Sequence, residues 1–379
     1  MSRRTVYAAF AVFGGLWGAW GASLPAIRDQ AGISDGELGT ALLFVGAGAL
    51  PAMLAAGRAV DRRPHRTTAV LLIVLGAAGV VAAVAGRGLL GLALALALLG
   101  AASGAADVAI NTAAGAAQRA HGGPVITRAH ASFSAAVVVA SLLTGLARGA
   151  DLPVAAPFAA VLAAAVAVAL RIVAIPEGPP AERRTKRLRG AAISLRTLLA
   201  IGGLGALAFA VENAHQSWSA LYLRDVVGAG PATAAVGPAI FAAVVAVSRF
   251  SAGAVSSARP IRVITAGAFV ATAGTALVAV ASTLAVALAG LAVAAAGTAV
   301  LFPTLLIILT GRVPDHVRGW ATSTVTAVAY LGFLAGPAYV GTWADATSLS
   351  TAMLAVAALA GVLALLAPAL GRQRVASRE

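Results

Sequence analysis

Long apolar runs and short polar gaps alternate twelve times along this chain. The runs lie at 5–27, 38–60, 67–86, 88–117, 129–148, 153–175, 197–223, 231–256, 261–281, 284–310, 319–341 and 349–370. Each approaches the ~20 residues that a helix needs to cross a ~30 Å hydrocarbon core. Inside a bilayer the backbone must satisfy its own N–H and C=O groups, which leaves helices or a closed barrel. Unbroken Ala, Leu and Val stretches without period-2 alternation exclude the barrel. The pattern predicts an all-α integral membrane protein with 12 transmembrane helices and no sizeable soluble domain.

Composition agrees with that reading. The chain is 60% hydrophobic, above the ~45–50% of soluble domains. Its net charge of +14 is spread over short gaps rather than gathered in one patch. With the N-terminus placed inside, 23 of the 27 basic residues fall in inward segments. The outward segments hold only Arg28, Arg87, Arg148 and Arg224. That asymmetry is the positive-inside rule, and it places both termini in the cytoplasm, with a bacterial inner membrane as the expected location. The basic charge then faces anionic lipid, and a nucleic-acid partner is not expected. Ser2-Arg3-Arg4, an apolar stretch and Gly21-Ala22-Ser23 imitate a signal peptide. The apolar run exceeds the ~7–15 residues of such a signal, so a retained first helix is expected. Cysteine is absent, which excludes disulfides and thiolate chemistry.

Six runs precede the one long hydrophilic segment, 176–196, and six follow it. The expected organisation is an N-terminal six-helix bundle over 1–175, a basic cytoplasmic linker over 176–196, and a C-terminal bundle with a short tail over 197–379. Arg63-Pro64-His65-Arg66 follows the second run, and Arg259-Pro260-Ile261-Arg262 follows the eighth, 196 residues later. Equivalent positions in a six-plus-six plan point to an internal duplication. Transporters built from such repeats bind their solute near the bilayer midplane.

Gly57-Arg58-Ala59-Val60-Asp61-Arg62-Arg63-Pro64-His65-Arg66 resembles the inner-loop signature of the major facilitator superfamily, with Pro64 where that signature has glycine. The resemblance covers nearly the whole chain. It implies two pseudo-symmetric six-helix bundles that rock to expose a central site alternately. It also implies a cytoplasmic gate at Asp61, Arg62 and Arg66. A narrower resemblance, to the YbjJ-like and fucose-permease-like branch, runs through Gly100 to Asn111, Gly115 and His130 to Ser134. It continues in Glu212, Trp218-Ser219 and Tyr222 to Asp225. Gln118 and Ser217 depart from that branch, which often carries acids there. His130, near the inner face, reads as a further gate residue.

A charge deep in a span costs roughly 2.5–3.5 kcal/mol on insertion scales, so each needs a reason. Asp107 and Glu212 are the two acids well inside runs. Ser103, Asp107 and Asn111 recur every four residues on one helical stripe, with Gln118 beyond. Gly100, Gly104 and Gly115 near that stripe suit close helix approach. The seventh run carries Glu212, Asn213, His215, Gln216, Ser217, Trp218, Ser219 and Tyr222, poor material for a lipid-facing surface. Candidate solute-binding or proton-coupling residues are therefore Asp107, Asn111, Glu212, Asn213, His215, Gln216, Trp218 and Tyr222. Trp17 and Trp20 of the first run join them as stacking surfaces. An interhelical hydrogen-bond clasp is the alternative for the polar members, and plain packing for the aromatic ones. Phe302-Pro303 predicts a bend in the tenth run, since proline removes a backbone bond.

No phosphate-binding glycine loop, metal-ligand spacing, cofactor motif or nucleophile elbow occurs. The chain therefore reads as a transporter rather than an enzyme, driven by a proton or other ion gradient and without cofactor or metal. Its expected partners are a small organic solute, sugar-like, metabolite or drug, and the lipid bilayer; a monomer is expected. Uptake and efflux both fit. A solute receptor that does not transport is the alternative from another class.

Overall fold

The computed structural model of the protein describes residues 1–176 and 194–372. Among these the secondary structure is helical throughout. The segments are α1 (Arg3–Ala31), α2 (Asp35–Arg62), α3 (Pro64–Ala85), α4 (Gly88–His121), α5 (Val125–Gly149), α6 (Ala155–Val173), α7 (Leu195–Asp225) and α8 (Pro231–Ala234). They continue as α9 (Val236–Ala258), α10 (Pro260–Ala279), α11 (Leu284–Thr298), α12 (Leu301–Thr310), α13 (Asp315–Ala346), α14 (Leu349–Leu366) and α15 (Ala369–Arg372). Among the described residues 12 stretches are long and apolar enough to span a membrane, one for each predicted run. Two of them join two segments: Pro231–Arg249 takes in α8 and part of α9, and Leu284–Thr310 takes in α11 and α12. Most of the expected linker, 177–193, lies outside the described residues.

Local chemistry sets the helix ends. Ser34 and Glu37 form a reciprocal capping box at the start of α2, which satisfies two amides that no helix bond can reach. Gly32, at φ 66°, closes α1 in the left-handed conformation that glycine adopts without steric cost. The Arg-Pro pair of each half does the same job in the same shape. Arg63 (φ −142°, ψ 70°) and Arg259 (φ −139°, ψ 58°) precede prolines at the first position of α3 and α10. A residue before proline is pushed out of the helical region, and proline at the first helical position loses no bond it could have made. The short repeat in the sequence is thus a repeated backbone turn.

The described residues belong to two compact units. One is Met1–Arg183 with Ala220–Ala243; the other is Arg184–Ser219 with Val244–Glu379. In the first unit α1 packs on α5, α2 on α4 and α3 on α6. The pairings six spans later follow the same order. Gly332 and Gly336 of α13 abut α7, Arg249 of α9 reaches Ala299 between α11 and α12, and α10 packs on α14.

Glycine makes these contacts close. A Cβ on Gly100 would lie 1.8 Å from the Val45 carbonyl oxygen of α2, and one on Gly332 would lie 1.8 Å from the Ala206 oxygen of α7. Without a hydrophobic force between helices in lipid, such small-residue faces are what lets backbones meet. The expected role of Gly115 is not seen: its Cβ position meets only the Arg119 side chain, at 3.4 Å.

At one end of the first unit the predicted inward segments converge. The N-terminal amine is 3.5 Å from His65 Nε2, the Arg3 guanidinium donates to the His121 carbonyl, and His65 Nδ1 lies 3.1 Å from the Pro176 oxygen. At the other end Arg28 pairs with Asp35 and, at 2.8 Å, with Asp225, while Arg224 holds Asp29 at 2.5 Å and Asp225 at 2.6 Å. Arg28 and Arg224 therefore share one side, as the charge asymmetry requires. Near that end α5 also meets α8, where a Cβ on Gly145 would lie 3.0 Å from the Ala232 carbonyl oxygen.

Gly332→Ala must push α7 and α13 apart. Its expected cost is the ~1–3 kcal/mol of an overpacked core, read as a lower thermal midpoint of the detergent-purified protein. Gly203→Ala, on the same α7 but with nothing within 4 Å of its added Cβ, should leave the midpoint unchanged or raise it. Equal losses in the two variants would remove close packing as the reason for these glycines.

Candidate functional site

A helix bonds each amide N–H to the carbonyl four residues earlier, and proline has no N–H to give. Pro303 therefore leaves the Ala299 carbonyl without its helical bond. The span is interrupted at that point, with α11 ending at Thr298 and α12 starting at Leu301, as the Phe302-Pro303 pair predicted. Arg249 of α9 takes up the freed carbonyl, its Nε donating to Ala299 O at 3.3 Å. The anchored guanidinium then turns its Nη2 to Glu212 of α7, at 2.9 Å from Oε1 and 3.0 Å from Oε2. Gln216, one turn along α7, donates its Nε2 to the same Oε1 at 3.1 Å.

The depth of this pair is what makes it unusual. Glu212 lies 17 residues from the start of α7 and 13 from its end, or about 26 and 20 Å along the axis. It is buried, while 43% of the Arg249 side chain stays exposed. Taken from the charge pattern alone, Arg249 belongs with the inward loop arginines; the structure corrects that. It is the counter-ion of a mid-span acid, and Glu212 is not an isolated carboxylate. Attraction between partners 37 residues apart offsets a burial cost that neither would bear alone.

The rest of the α7 patch divides by face. Asn213 donates from Nδ2 to the Phe333 carbonyl of α13, and its Oδ1 accepts from Ser217 at 3.2 Å. His215 is buried, with Nε2 2.9 Å from Thr275 Oγ1 of α10. Thr275 spends its single hydroxyl hydrogen on the Ala271 carbonyl, at 2.7 Å. His215 Nε2 must then be the donor to it, which fixes the proton on that nitrogen. Trp218 and Tyr222 are fully buried, whereas Gln216 is exposed. Asn213 and His215 thus form clasps between helices, and Gln216 and Arg249, both exposed, hold the buried Glu212. Phe302 stacks on Phe209 of α7 at 4.3 Å between centroids, with Tyr330 and Phe333 around it.

In the first unit the α4 stripe forms as its four-residue spacing predicts. Asn111 Nδ2 donates to the Asp107 carboxylate and to its carbonyl, each at 2.9 Å. Asp107 lies 19 residues from one end of α4 and 14 from the other, about 28 and 21 Å along the axis. Among the described residues no cation pairs with it. Gln118 is separate from that stripe in role: its Oε1 accepts from the Ile126 amide at 3.1 Å and fastens the turn into α5. Trp20 is buried in α1, and Trp17 is half-buried.

Asp61 and Arg62 close α2 and Arg66 opens α3, all exposed at the end that also holds the N-terminus and His65. His130 is exposed and sets its ring edge-on to Phe10, 5.1 Å away. The ion-pair cluster of Arg28, Asp29, Asp35, Arg224 and Asp225 at the opposite end was not among the sequence candidates. Its signal was present in the rare outward arginines, two of which adjoin an aspartate in the chain. Among the described residues no group of three His, Asp or Glu side chains could hold a metal ion.

Among the described residues, twelve apolar spans in two runs of matching pairings, with charged groups held deep within them, make this a multi-span membrane protein. The chain belongs to the Major Facilitator Superfamily, whose model matches residues 6–337. It is 28% identical over 378 residues to the uncharacterised transporter y4wD of Sinorhizobium fredii, covering 97% of each chain. It is 26% identical to an uncharacterised MFS-type transporter of Yersinia pestis, over 93% of this chain and 91% of that one. Among solved structures, a bacterial homolog of the human lysosomal transporter Spinster, inward-facing and occupied, superposes with a TM-score of 0.83. Its identity is 17%, with 100% of this chain and 97% of that chain covered. The nucleoside transporter NupG superposes at 0.75 with 14% identity, over 98% and 99%. A D-xylose-proton symporter does so at 0.73 with 13% identity, over 96% of each. At these identities the likeness to solved structures is one of fold.

Removing one charge of the mid-span pair strands the other. Glu212→Gln or Arg249→Gln alone should each lower stability, by on the order of 2 kcal/mol, below the full range for buried pairs because Arg249 is partly exposed. The double variant should recover most of that loss in thermal unfolding. Additive losses would show that the two side chains do not depend on each other.

Proposed function

We propose that the protein is a proton-coupled secondary transporter of a small organic solute, working by alternating exposure of its mid-span groups to the two sides of a bacterial inner membrane. The observation that carries this reading is Asp107, a mid-span carboxylate whose described partner is the Asn111 amide alone. A bare carboxylate at that depth is held by water or by a proton, and exchange between the two is the elementary step of proton coupling. Glu212 is a second acid at comparable depth, tied to Arg249, and it couples charge movement to whatever displaces that arginine. Superfamily membership and the transporter relatives support transport, and a D-xylose-proton symporter, alike in fold, is a precedent for proton coupling. The charge asymmetry of the sequence supports cytoplasmic termini, and Met1, His65 and Pro176 lie together at the end of the first unit that this reading turns inward. The direction of net transport then follows from the combined solute and proton gradients.

The test is reconstitution of the full chain into proteoliposomes and a screen of sugars, nucleosides, organic acids and drugs for solute-dependent proton movement. Asp107→Asn is expected to weaken accumulation driven by a pH gradient and to keep solute counterflow, because exchange needs no net proton transfer. Loss of both, in a variant that remains folded, would assign Asp107 to solute binding. A full panel that is transported without moving protons would end the proton-coupled reading.

A further inference from the structure

The mid-span pair uses only part of its guanidinium. Arginine presents five N–H donors in a planar fork, and strong carboxylate pairs usually engage two nitrogens. Arg224 does so at the end of its span: Nη1 and Nη2 hold Asp29 at 2.5 and 3.1 Å, and Nε holds Asp225 at 2.6 Å. Arg249 meets Glu212 through Nη2 alone and gives Nε to Ala299. Among the described residues its Nη1 has no partner, and 43% of the side chain is exposed. A guanidinium edge left open at that depth costs several kcal/mol against lipid, so it must face water or an anion.

We infer that the open edge of Arg249 is the recognition site for a solute bearing one carboxylate, and that Glu212 takes up a proton as the solute anion arrives. This rests on the transport reading above. One guanidinium offers one edge and one positive charge, which matches a monocarboxylate and leaves a dianion under-compensated. Two ionised carboxylates on a single guanidinium repel each other at short range, and the repulsion is relieved when one of them protonates. Glu212 is held by a single nitrogen of the guanidinium and by the neutral Gln216 amide, so it is the one that gives way. The proton comes from water on the entry side and forms an O–H bond on the Glu212 carboxyl. The solute stays anionic, and the pair of charges at Arg249 is restored. Proton and anion thus enter together, and both leave when Glu212 closes again on Nη2.

Few other groups can take part. On α7 the neighbouring titratable side chain is His215, turned to Thr275 of α10. On α13 it is Tyr330, packed edge-on to Phe209. The described spans of α11 and α12 carry no titratable side chain. Gln216 follows Glu212 through its amide and needs no charge change.

The test uses the full-length protein in detergent, with sodium acetate, lactate and benzoate titrated against acetamide, lactamide and benzamide in thermal unfolding. At least one carboxylate should raise the midpoint while its amide does not. Its apparent affinity should weaken by up to about tenfold for each pH unit of increase, because one proton is bound with it. Glu212→Gln should bind at least as tightly and lose the pH dependence. The double variant Glu212→Gln with Arg249→Gln, which leaves no stranded charge, should lose tenfold or more in affinity. Amides that act like their carboxylates, no shift with any carboxylate, or a pH dependence that survives Glu212→Gln would overturn the inference. The two readings fail separately: proton-coupled uptake of an uncharged solute without carboxylate binding keeps the transporter and removes this site. Carboxylate binding with the expected pH dependence but no movement across liposomes keeps the site and removes transport.

Discussion

A missing hydrogen bond organises the second half of this protein. Pro303 cannot bond the Ala299 carbonyl, so that oxygen is open to another donor, and Arg249 fills it. The anchored arginine in turn holds Glu212 at the middle of α7. Each step follows from a constraint of the bilayer, where an unsatisfied carbonyl, a lone guanidinium and a lone carboxylate are all costly. Joined, the three groups tie three spans together and keep two charges at a depth that neither could occupy alone.

The remainder of the fold is shaped by how closely backbones approach. Gly100 against Val45 and Gly332 against Ala206 mark two such contacts, one in each half. Tight small-residue faces hold helices as rigid sets and leave little freedom inside a pairing. Polar contacts at the span ends are more readily exchanged. The ion pairs around Arg28 and Arg224 are of that kind, since water can replace a salt bridge at a span end at little net cost.

Much of this was legible in the chain, because a membrane makes hydrophobic length a direct readout of structure. All twelve runs became spans, and Arg63-Pro64 and Arg259-Pro260 became the same turn. The four-residue spacing of Asp107 and Asn111 likewise reappears as a hydrogen bond, since both sit on one helix. The partner of Glu212 was not legible. Arg249 lies near the end of its apolar run and so resembles a loop charge, and helical periodicity says nothing about which face of α9 meets α7. The same limit separated the α7 patch into clasps and open groups only in three dimensions. His215 and Asn213 look like cavity residues in sequence, yet Thr275 and Phe333, 60 and 120 residues away, receive them. The residue-level resemblance to one branch of the superfamily rests on its two motifs, and the superfamily itself on nearly the whole chain.

If Arg249 receives a solute carboxylate, its bond to Glu212 is an exchangeable one, opened by the solute and closed again when it leaves. Infrared difference spectroscopy of the full-length protein, with and without sodium benzoate at neutral pH, observes the Glu212 carboxyl directly. Benzoate should raise a protonated-carboxyl band that is missing in Glu212→Gln. A Glu212 that remains ionised with benzoate bound, or a band that persists in Glu212→Gln, would contradict it.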